Sequence, residues 1–241
     1  MRNAHRFIIR ILALGVWLLS ETAWMAAAAP PPKPEVTYVE FKQMAVMPFF
    51  AGSRQPDVDA AMDRTLSCPV GELCAGTPGI EPGAGRDLTR MVYEELRRRF
   101  GDHVASLDES RLTYAEVLTD ESLDTARGLA QRLGREMKAD YVVIGTLWRY
   151  RDRGAVPGMP ESPASVAFAL YLVEVETGRR VWRGLYDEAQ RQATDHLLQA
   201  RKYLKMGFKW LSARELARHG VKQVLAEFPS DEELRIPVPE P

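Results

Sequence analysis

Several residues of types that often do chemistry occur in this sequence, but their spacing matches no catalytic motif. After the first thirty residues the histidines are His103, His196 and His219, and no two of them have the close spacing of a zinc site such as HExxH. No GxSxG segment is present, so a hydrolase nucleophile elbow is not indicated. We therefore predict no catalytic residues, no metal ligands and no cofactor.

Two short segments carry weaker chemical signals. Gly83 and Gly85 precede a predicted helix, and backbone N–H groups at such a turn can hold a phosphate. The segment GAGRDL lacks a third glycine and follows a loop rather than a strand, which favours a flexible start to the helix. Asp187 and Glu188 could work as an acid and a base. Neighbours in a strand point to opposite faces, however, so a solvated strand end is the simpler interpretation.

The first 29 residues have the three parts of a secretory signal peptide. A basic start (Arg2–Arg10) is followed by the apolar run Ile11–Leu19 and by the small residues Ala26–Ala29. The apolar run is about half of the roughly 20 residues that a membrane span needs, which favours cleavage near Ala28 over an uncleaved anchor. No cysteine follows the run where a lipoprotein would be acylated. We predict an exported, periplasmic protein.

The two cysteines of the sequence, Cys68 and Cys74, lie in a Gly/Pro-rich loop. Export places them in an oxidising compartment, so the sequence predicts a disulfide between them. Because the closed loop is short, it should stabilise the fold by about 2 kcal/mol or less. A redox or metal role is the alternative, although the pair is not CxxC and no histidine lies nearby.

Length and composition predict a single domain of typical size that can bury a hydrophobic core. The chain has 241 residues, of which 46% are hydrophobic, and its formal net charge of −1 makes nucleic acid a poor partner. Proline-rich segments flank the predicted domain on both sides. We place a leader at residues 30–43, a single α/β domain at 44–229, and a C-terminal tail at 230–241.

Hydrophobic periodicity predicts the order β-α-β-α-β-β-β-α, an α/β (α+β) fold with one mixed sheet and helices packed on it. The strand Met44–Phe50 is followed by the long loop 51–85 and by a helix whose stripe is Leu88, Met91, Val92, Leu96 and Phe100. A short strand around His103–Leu107 should follow. The next helix begins near Ser122 and buries Leu123, Ala126, Leu129, Leu133 and Met137.

The second half of the predicted domain is an antiparallel meander closed by a helix. The run Tyr141–Gly145 is apolar throughout, as in a strand covered on both faces, and it becomes polar towards Tyr150. The strands Ser165–Glu176 and Arg180–Gln190 meet at a tight turn where Gly178 supplies a positive φ. Ser212 and Glu215 have the spacing of a capping box and start the last helix, whose apolar face is Leu216, Val221, Val224, Leu225 and Phe228.

Two surfaces stand out as candidates for binding. The segment Asp195–Leu211 is basic and amphipathic, and could lie on an anionic membrane or dock on a partner. Its key residues are Arg201, Lys202, Lys205, Lys209 and Trp210. A connector that covers one sheet face with its lysines in water is the alternative.

The second surface combines aromatic residues and arginines at the predicted exposed end of the meander, a combination that protein interfaces favour. Its residues are Trp148, Arg149, Tyr150, Trp182, Arg183 and Tyr186. Cross-strand packing is the competing explanation for the aromatic side chains.

Four segments together resemble an envelope superfamily. They are the strand MAVMPFF, the helix after GRDLT, the run ADYVVIGTLWRY and the hairpin SVAFALYLVEVETGRRVWRG. They are similar to the superfamily of the TolB amino-terminal domain, the penicillin-binding-protein activator LpoB and the curli secretion protein CsgG. The resemblance covers roughly Met44–Phe228 and implies a fold and an envelope location, but no catalytic residues. The chain departs from the lipoprotein members because it lacks a lipobox cysteine, and from a secretion pore because it lacks long membrane-spanning hairpins.

The sequence therefore predicts a periplasmic, non-catalytic accessory or assembly module that binds a cell-envelope protein. Two alternatives stay open. The first is an exported hydrolase of envelope polymers, which a pocket joining carboxylates from distant segments would favour. The second is a peripheral membrane-binding protein that uses Asp195–Leu211.

Overall fold

A mixed β-sheet forms the centre of the protein and carries helices on both of its faces. The computed structural model describes residues 38–51, 62, 79–119, 125–156, 158, 162–190 and 211–237. The strands are β1 (Tyr38–Val39), β2 (Met44–Val46), β3 (Phe50–Ala51), β4 (Tyr141–Arg151), β5 (Ser165–Glu174), β6 (Arg180–Ala189) and β7 (Ile236–Pro237). The helices are α1 (Ala84–Phe100), α2 (Leu107–Val117), α3 (Ala126–Glu136) and α4 (Ala213–Leu225).

The sheet has the strand order β2-β4-β5-β6, with β3 also pairing with β4. The strands β2 and β3 run parallel to β4, whereas β4, β5 and β6 form an antiparallel meander. One face of the sheet is covered by α1 and α4, and the other by α2 and α3. We call these the α1/α4 face and the α2/α3 face. The predicted α+β class and mixed sheet are confirmed.

The predicted apolar stripe of α1 is buried along its whole length. Its packing also explains why the predicted strand Met44–Phe50 is divided in two. The N–H group of Phe49 leaves the ladder and donates to the Thr89 hydroxyl at 3.0 Å, and that hydroxyl donates to the Gly85 carbonyl at 2.7 Å. Helix α1 therefore holds the break between β2 and β3.

The segment after α1 differs from the predicted short strand. Residues Gly101–His103 form a 3-10 turn, and Val104 makes only a single parallel bridge to Met44. Helix α2 then begins at Leu107. Acidic residues in its first turn interact favourably with the helix dipole, and Tyr114 is buried against the α2/α3 face. The strand prediction was therefore wrong beyond one residue pair.

The predicted residues Ala126, Leu129 and Leu133 of helix α3 are buried, as is Met137 at its C-cap. Its cap is Thr125, whose side chain accepts the Gly128 N–H at 3.1 Å. The predicted cap Ser122 and the predicted core residue Leu123 lie outside the described residues.

Helix α3 also holds the turn of the β5–β6 hairpin. Arg127 donates to the carbonyl of Gly178, and the Gln131 amide donates to the carbonyl of Val175 at 3.2 Å. Gly178 has φ of +70°, which confirms the predicted need for a glycine at the turn.

The C-terminal helix α4 begins as predicted. The Ser212 side chain accepts the Glu215 N–H, and the Glu215 carboxylate accepts the Ser212 N–H at 2.9 Å, so the capping box is complete. Beyond the helix, β7 pairs with β1 in an antiparallel ribbon of two short strands. The predicted proline-rich leader and tail therefore each contribute one strand.

Candidate interaction surface

Three successive segments pair along one edge of β4. Strand β2 pairs with its first part, β3 pairs at Thr146 and Leu147, and Ile80 forms a parallel bridge to Tyr150. The chain therefore leaves β4 after Ala51 and returns at Gly79, close to the same end of the strand. We call this the outer end of the sheet, where β4 and β6 finish and β5 begins.

A β-bulge in β4 decides which side chains face outward there. The pairing with β5 shifts between Leu147 and Arg149, so Trp148 is the extra residue. Leu147 and Tyr150 pack in the core of the α1/α4 face, whereas Trp148 packs against the core of the α2/α3 face. Arg149 lies opposite Ala167, on the same face as Trp148.

The alternation of β6 brings three more side chains to the α2/α3 face. Asp187 lies opposite Ala167, Leu185 opposite Ala169, and Arg183 opposite Tyr171. Arg149 and Asp187 form an ion pair that spans the small side chain of Ala167 between them. The ion pair thereby links the two outer strands of the meander across β5.

The helices of the α2/α3 face leave part of β6 open. Helix α3 packs on β4 and β5, whereas Arg183 is exposed and Leu185 is 44% exposed. Leu112 on α2 is the other large hydrophobic residue that is exposed among the described residues. We define Trp148, Arg149, Arg183, Leu185 and Asp187 as the outer patch.

Two buried N–H donors of the outer patch have no acceptor among the described residues. Trp148 Nε1 and Arg149 Nε are both buried, and neither has a hydrogen-bond partner in the described part of the chain. A buried polar group without a partner typically costs about 1–3 kcal/mol. A carbonyl or carboxylate oxygen would remove that cost if the neighbouring side chains moved to admit it, so these donors make the patch a candidate site for an acceptor.

Three of the six residues predicted to bind a partner do not lie in the outer patch. Tyr150 and Tyr186 are only 3% and 2% exposed, and both belong to the core of the α1/α4 face. The ring of Tyr186 is 5.5 Å from that of Phe168. Trp182 is half-buried on the same face, with its ring 4.8 Å from that of Phe228. Cross-strand and helix packing therefore account for these three side chains.

Tyr150 is unusual among the core residues because its hydroxyl is buried without a hydrogen-bond partner in the described chain. Burial is the main cause that raises the pKa of Tyr150, and the nearby carboxylates of Asp87 and Glu81 raise it further. The Arg214 guanidinium acts in the opposite direction. The side chain is therefore held neutral inside the domain.

The weaker chemical signals have structural explanations. Asp187 and Glu188 lie on opposite faces of β6, as predicted, and Asp187 is paired with Arg149. Gly83 is the N-cap of α1 with φ of +81°, and it makes no side-chain cap. Among the described residues no group of three His, Cys, Asp or Glu side chains could hold a metal ion.

One cleft, of about 560 Å³, does join carboxylates from distant segments, namely Asp140, Glu174 and Glu176. The carboxylate of Asp140 accepts the N–H groups of Lys42 and Gln43 at 2.5 and 3.2 Å. Glu174 accepts the Thr177 hydroxyl at 2.5 Å and is 3.7 Å from the Arg179 guanidinium. The carboxylates of Asp140 and Glu174 thus stabilise strand ends and the hairpin turn, although the cleft itself meets the condition that was stated for the hydrolase alternative.

Several predicted features lie outside the described residues. They are the signal peptide 1–29, the cysteine pair Cys68 and Cys74, and the basic segment with Arg201, Lys202, Lys205, Lys209 and Trp210. The described part of the chain contains no helix with the length and apolar character needed to cross a membrane.

No protein family matches this chain, and no curated protein matches it either. Several solved structures are similar to it. One is a PelC dodecamer from Paraburkholderia phytofirmans, which is 14% identical and has a TM-score of 0.38; the match covers 79% of this chain and 94% of that chain. The LpoB C-terminal domain from Salmonella enterica is 14% identical and has a TM-score of 0.33; the match covers 64% of this chain and 86% of that chain. Lipoprotein GNA1162 from Neisseria meningitidis is 15% identical and has a TM-score of 0.36; the match covers 69% of this chain and 99% of that chain.

LpoB is one of the proteins that the sequence analysis named, while the resemblance to the TolB domain and CsgG stays a prediction. Because these TM-scores lie below 0.5, the similarities assign no function to this chain.

Proposed function

We propose that this protein is a non-catalytic accessory or assembly module of the cell envelope that binds another envelope protein through the outer patch. The observation that carries the proposal is the pair of buried N–H donors, Trp148 Nε1 and Arg149 Nε, that have no acceptor in the described chain. Arg183 and Leu185, which are exposed, lie on β6 on the same face of the sheet. A partner that supplies acceptor oxygens would complete the surface.

The charge of the patch selects the chemistry of the partner. Arg149 and Arg183 are the cations of the patch, and Asp187 is its anion, already paired with Arg149. Arg151 lies two pairing positions beyond Arg149 on β4, on the same face. The surplus of arginine favours a segment with carboxylates or exposed backbone carbonyls, to which a guanidinium can donate two hydrogen bonds.

Leu185 gives the patch an apolar contact. Interfaces commonly combine an apolar centre with arginines and aromatic rings, because these side chains provide both a large contact area and polar groups that form directional hydrogen bonds. The Trp148 ring packs against the core, so it is held in place before a partner arrives. The entropy cost of immobilising this side chain on binding should therefore be small.

The basic segment predicted from the sequence connects to the same end of the sheet. The Gln190 side-chain carbonyl accepts the Leu211 N–H at 2.9 Å, so the two ends of the connection 191–210 are joined. Gln190 directly follows β6. We propose that Arg201, Lys202, Lys205, Lys209 and Trp210 contribute a membrane or partner contact.

In-cell photo-crosslinking tests the binding role. A photoreactive amino acid is placed at Leu185, and at Leu112 as a matched control, since both side chains are large, apolar and exposed. The proposal expects one dominant envelope protein to be captured from position 185 and not from position 112. Its capture should decrease when Trp148→Phe removes one buried donor.

Adducts with a second copy that form in addition to the envelope protein leave the proposal intact, whereas the following outcomes contradict it. Equal capture from both positions would show that the outer patch has no special role. Adducts formed only with a second copy of the chain, or no adduct from a folded and exported protein, would remove the support for an envelope partner at this surface.

A further inference from the structure

The edge strand β6 has one side that no described strand covers. It pairs with β5, and within the described residues the sheet ends there. The Gln190 N–H donates to the Ala164 carbonyl at 2.9 Å, so the even-numbered β6 residues from Trp182 to Glu188 direct their backbone groups towards β5. Arg183, Leu185 and Asp187 therefore direct their N–H and C=O groups outward. Such a row can accept another strand.

The sequence of β6 is complementary to itself about Leu185. If a second β6 lies antiparallel with the two Leu185 residues opposite each other, Arg183 of each copy faces Asp187 of the other. Leucine then meets leucine at the two-fold axis, and no like charges are opposed. If the two β6 strands were instead paired with Gly184 opposite Gly184, Leu185 would lie opposite Arg183 and Asp187 opposite Val181. The Arg183–Asp187 pairs would then be lost.

We propose that a second copy of this chain pairs with the β6 edge, antiparallel and centred on Leu185. The two sheets join into one continuous sheet through a two-fold axis, which is the commonest symmetry of homodimers. Backbone hydrogen bonds supply the contact, and the Arg183–Asp187 pairs fix its register. Asp187 keeps its contact with Arg149 on the same face.

This dimer would enlarge the outer patch. Both copies direct their α2/α3 faces to the same side of the joined sheet, because a two-fold axis perpendicular to a sheet preserves its faces. The two patches would become neighbours across the axis. The inference does not depend on the proposed envelope partner, since it rests only on β6 and on its charge pattern.

Oxidative crosslinking of the purified full chain tests the register. With Leu185→Cys and oxidised glutathione as the oxidant, we expect a disulfide between the two thiols introduced at position 185, identified by peptide mass spectrometry. Peptides with Cys68 or Cys74 have different masses and are distinguished directly. Leu112→Cys, at an even more exposed site on α2, should not crosslink under the same conditions. Equal crosslinking of both variants, or none at position 185, overturns the proposal.

Sedimentation of the full chain over a range of concentrations tests the dimer itself. Wild type should sediment as a monomer–dimer equilibrium. Arg183→Glu places a glutamate opposite each Asp187 and should weaken dimerisation about tenfold, whereas Arg183→Lys should preserve it. Circular dichroism checks that both variants fold. A purely monomeric wild type, or a dimer that is unaffected by Arg183→Glu, contradicts the inference whether or not an envelope partner exists.

Discussion

Replacing Tyr150 by phenylalanine should stabilise the protein. The Tyr150 ring is 3% exposed and packs in the core of the α1/α4 face. Phenylalanine keeps that ring and removes only the hydroxyl, which is buried without a partner in the described residues. The comparison variant is Tyr141→Phe, because the buried Tyr141 hydroxyl donates to the Leu234 carbonyl at 3.2 Å.

The two substitutions should differ in sign. Removing an unpaired buried hydroxyl should raise the free energy of unfolding by about 1 kcal/mol, whereas removing the bonded Tyr141 hydroxyl should lower it by about 1 kcal/mol. In a domain of this size each change corresponds to about 2–4 °C in Tm. Urea unfolding at neutral pH measures both, and the slope with denaturant should stay the same.

Alkaline pH provides a second test of the same side chain. The pKa of Tyr150 is raised in the folded state, mainly by burial. A raised pKa contributes stability that is fully present below the unfolded value of about 10 and is lost as pH rises through the folded value. Wild-type stability should therefore fall above about pH 10, and Tyr150→Phe should reduce that fall. The pKa values of Tyr114 and Tyr141 are raised as well, so part of the fall should remain.

A loss of 1 kcal/mol or more in Tyr150→Phe, similar to that of Tyr141→Phe, would refute the reasoning, because it would show that the Tyr150 hydroxyl has a stabilising partner. An unchanged alkaline transition would contradict the proposed burial of the neutral phenol.

Three further substitutions test the scaffold by urea unfolding. Ser212→Ala removes the capping box of α4 and should cost about 1 kcal/mol, while Ser212→Asp should recover most of it. Gly145→Ala places a Cβ 2.3 Å from the Phe49 ring and should cost about 1–3 kcal/mol, so a neutral result would contradict the close packing of β4 on Phe49. Thr89→Val leaves the Phe49 N–H without its acceptor and should cost about 1–3 kcal/mol, whereas Thr89→Ser should be milder, and equal effects would argue against the hydrogen bond.

The parts of the fold that the sequence predicted well are those with strong local signals. The stripe of α1, the Ser212–Glu215 capping box and the Gly178 turn each depend on residues close together in the chain, and the structure has all three. Helix α2 was not predicted because its hydrophobic residues are only weakly concentrated on one side. Tyr114 and Val117 are its only buried hydrophobic residues, so its apolar face is short.

The candidate surface was predicted only in part, because a β-bulge cannot be read from local sequence. Strict alternation along β4 would place Trp148 and Tyr150 on one face. The extra residue at Trp148 instead sends Tyr150 into the opposite core and leaves Trp148 beside Arg149. A shift of one residue reverses the face of every side chain that follows. Leu185 and Asp187 were not predicted as part of this surface for a related reason, since their role there depends on pairing with β5 and β4.

The affinity of Trp148→Phe for the envelope protein captured at position 185 tests the central claim most directly. Phenylalanine keeps an aromatic ring and removes the buried Nε1 donor, which has no acceptor in the described chain. We predict that the free energy of unfolding changes by less than about 1 kcal/mol, because the lost ring contacts and the removed unpaired donor offset each other. The Kd should nevertheless increase about fivefold, corresponding to one lost hydrogen bond. An unchanged Kd in a variant of unchanged stability would contradict the claim that the outer patch binds its partner through these donors.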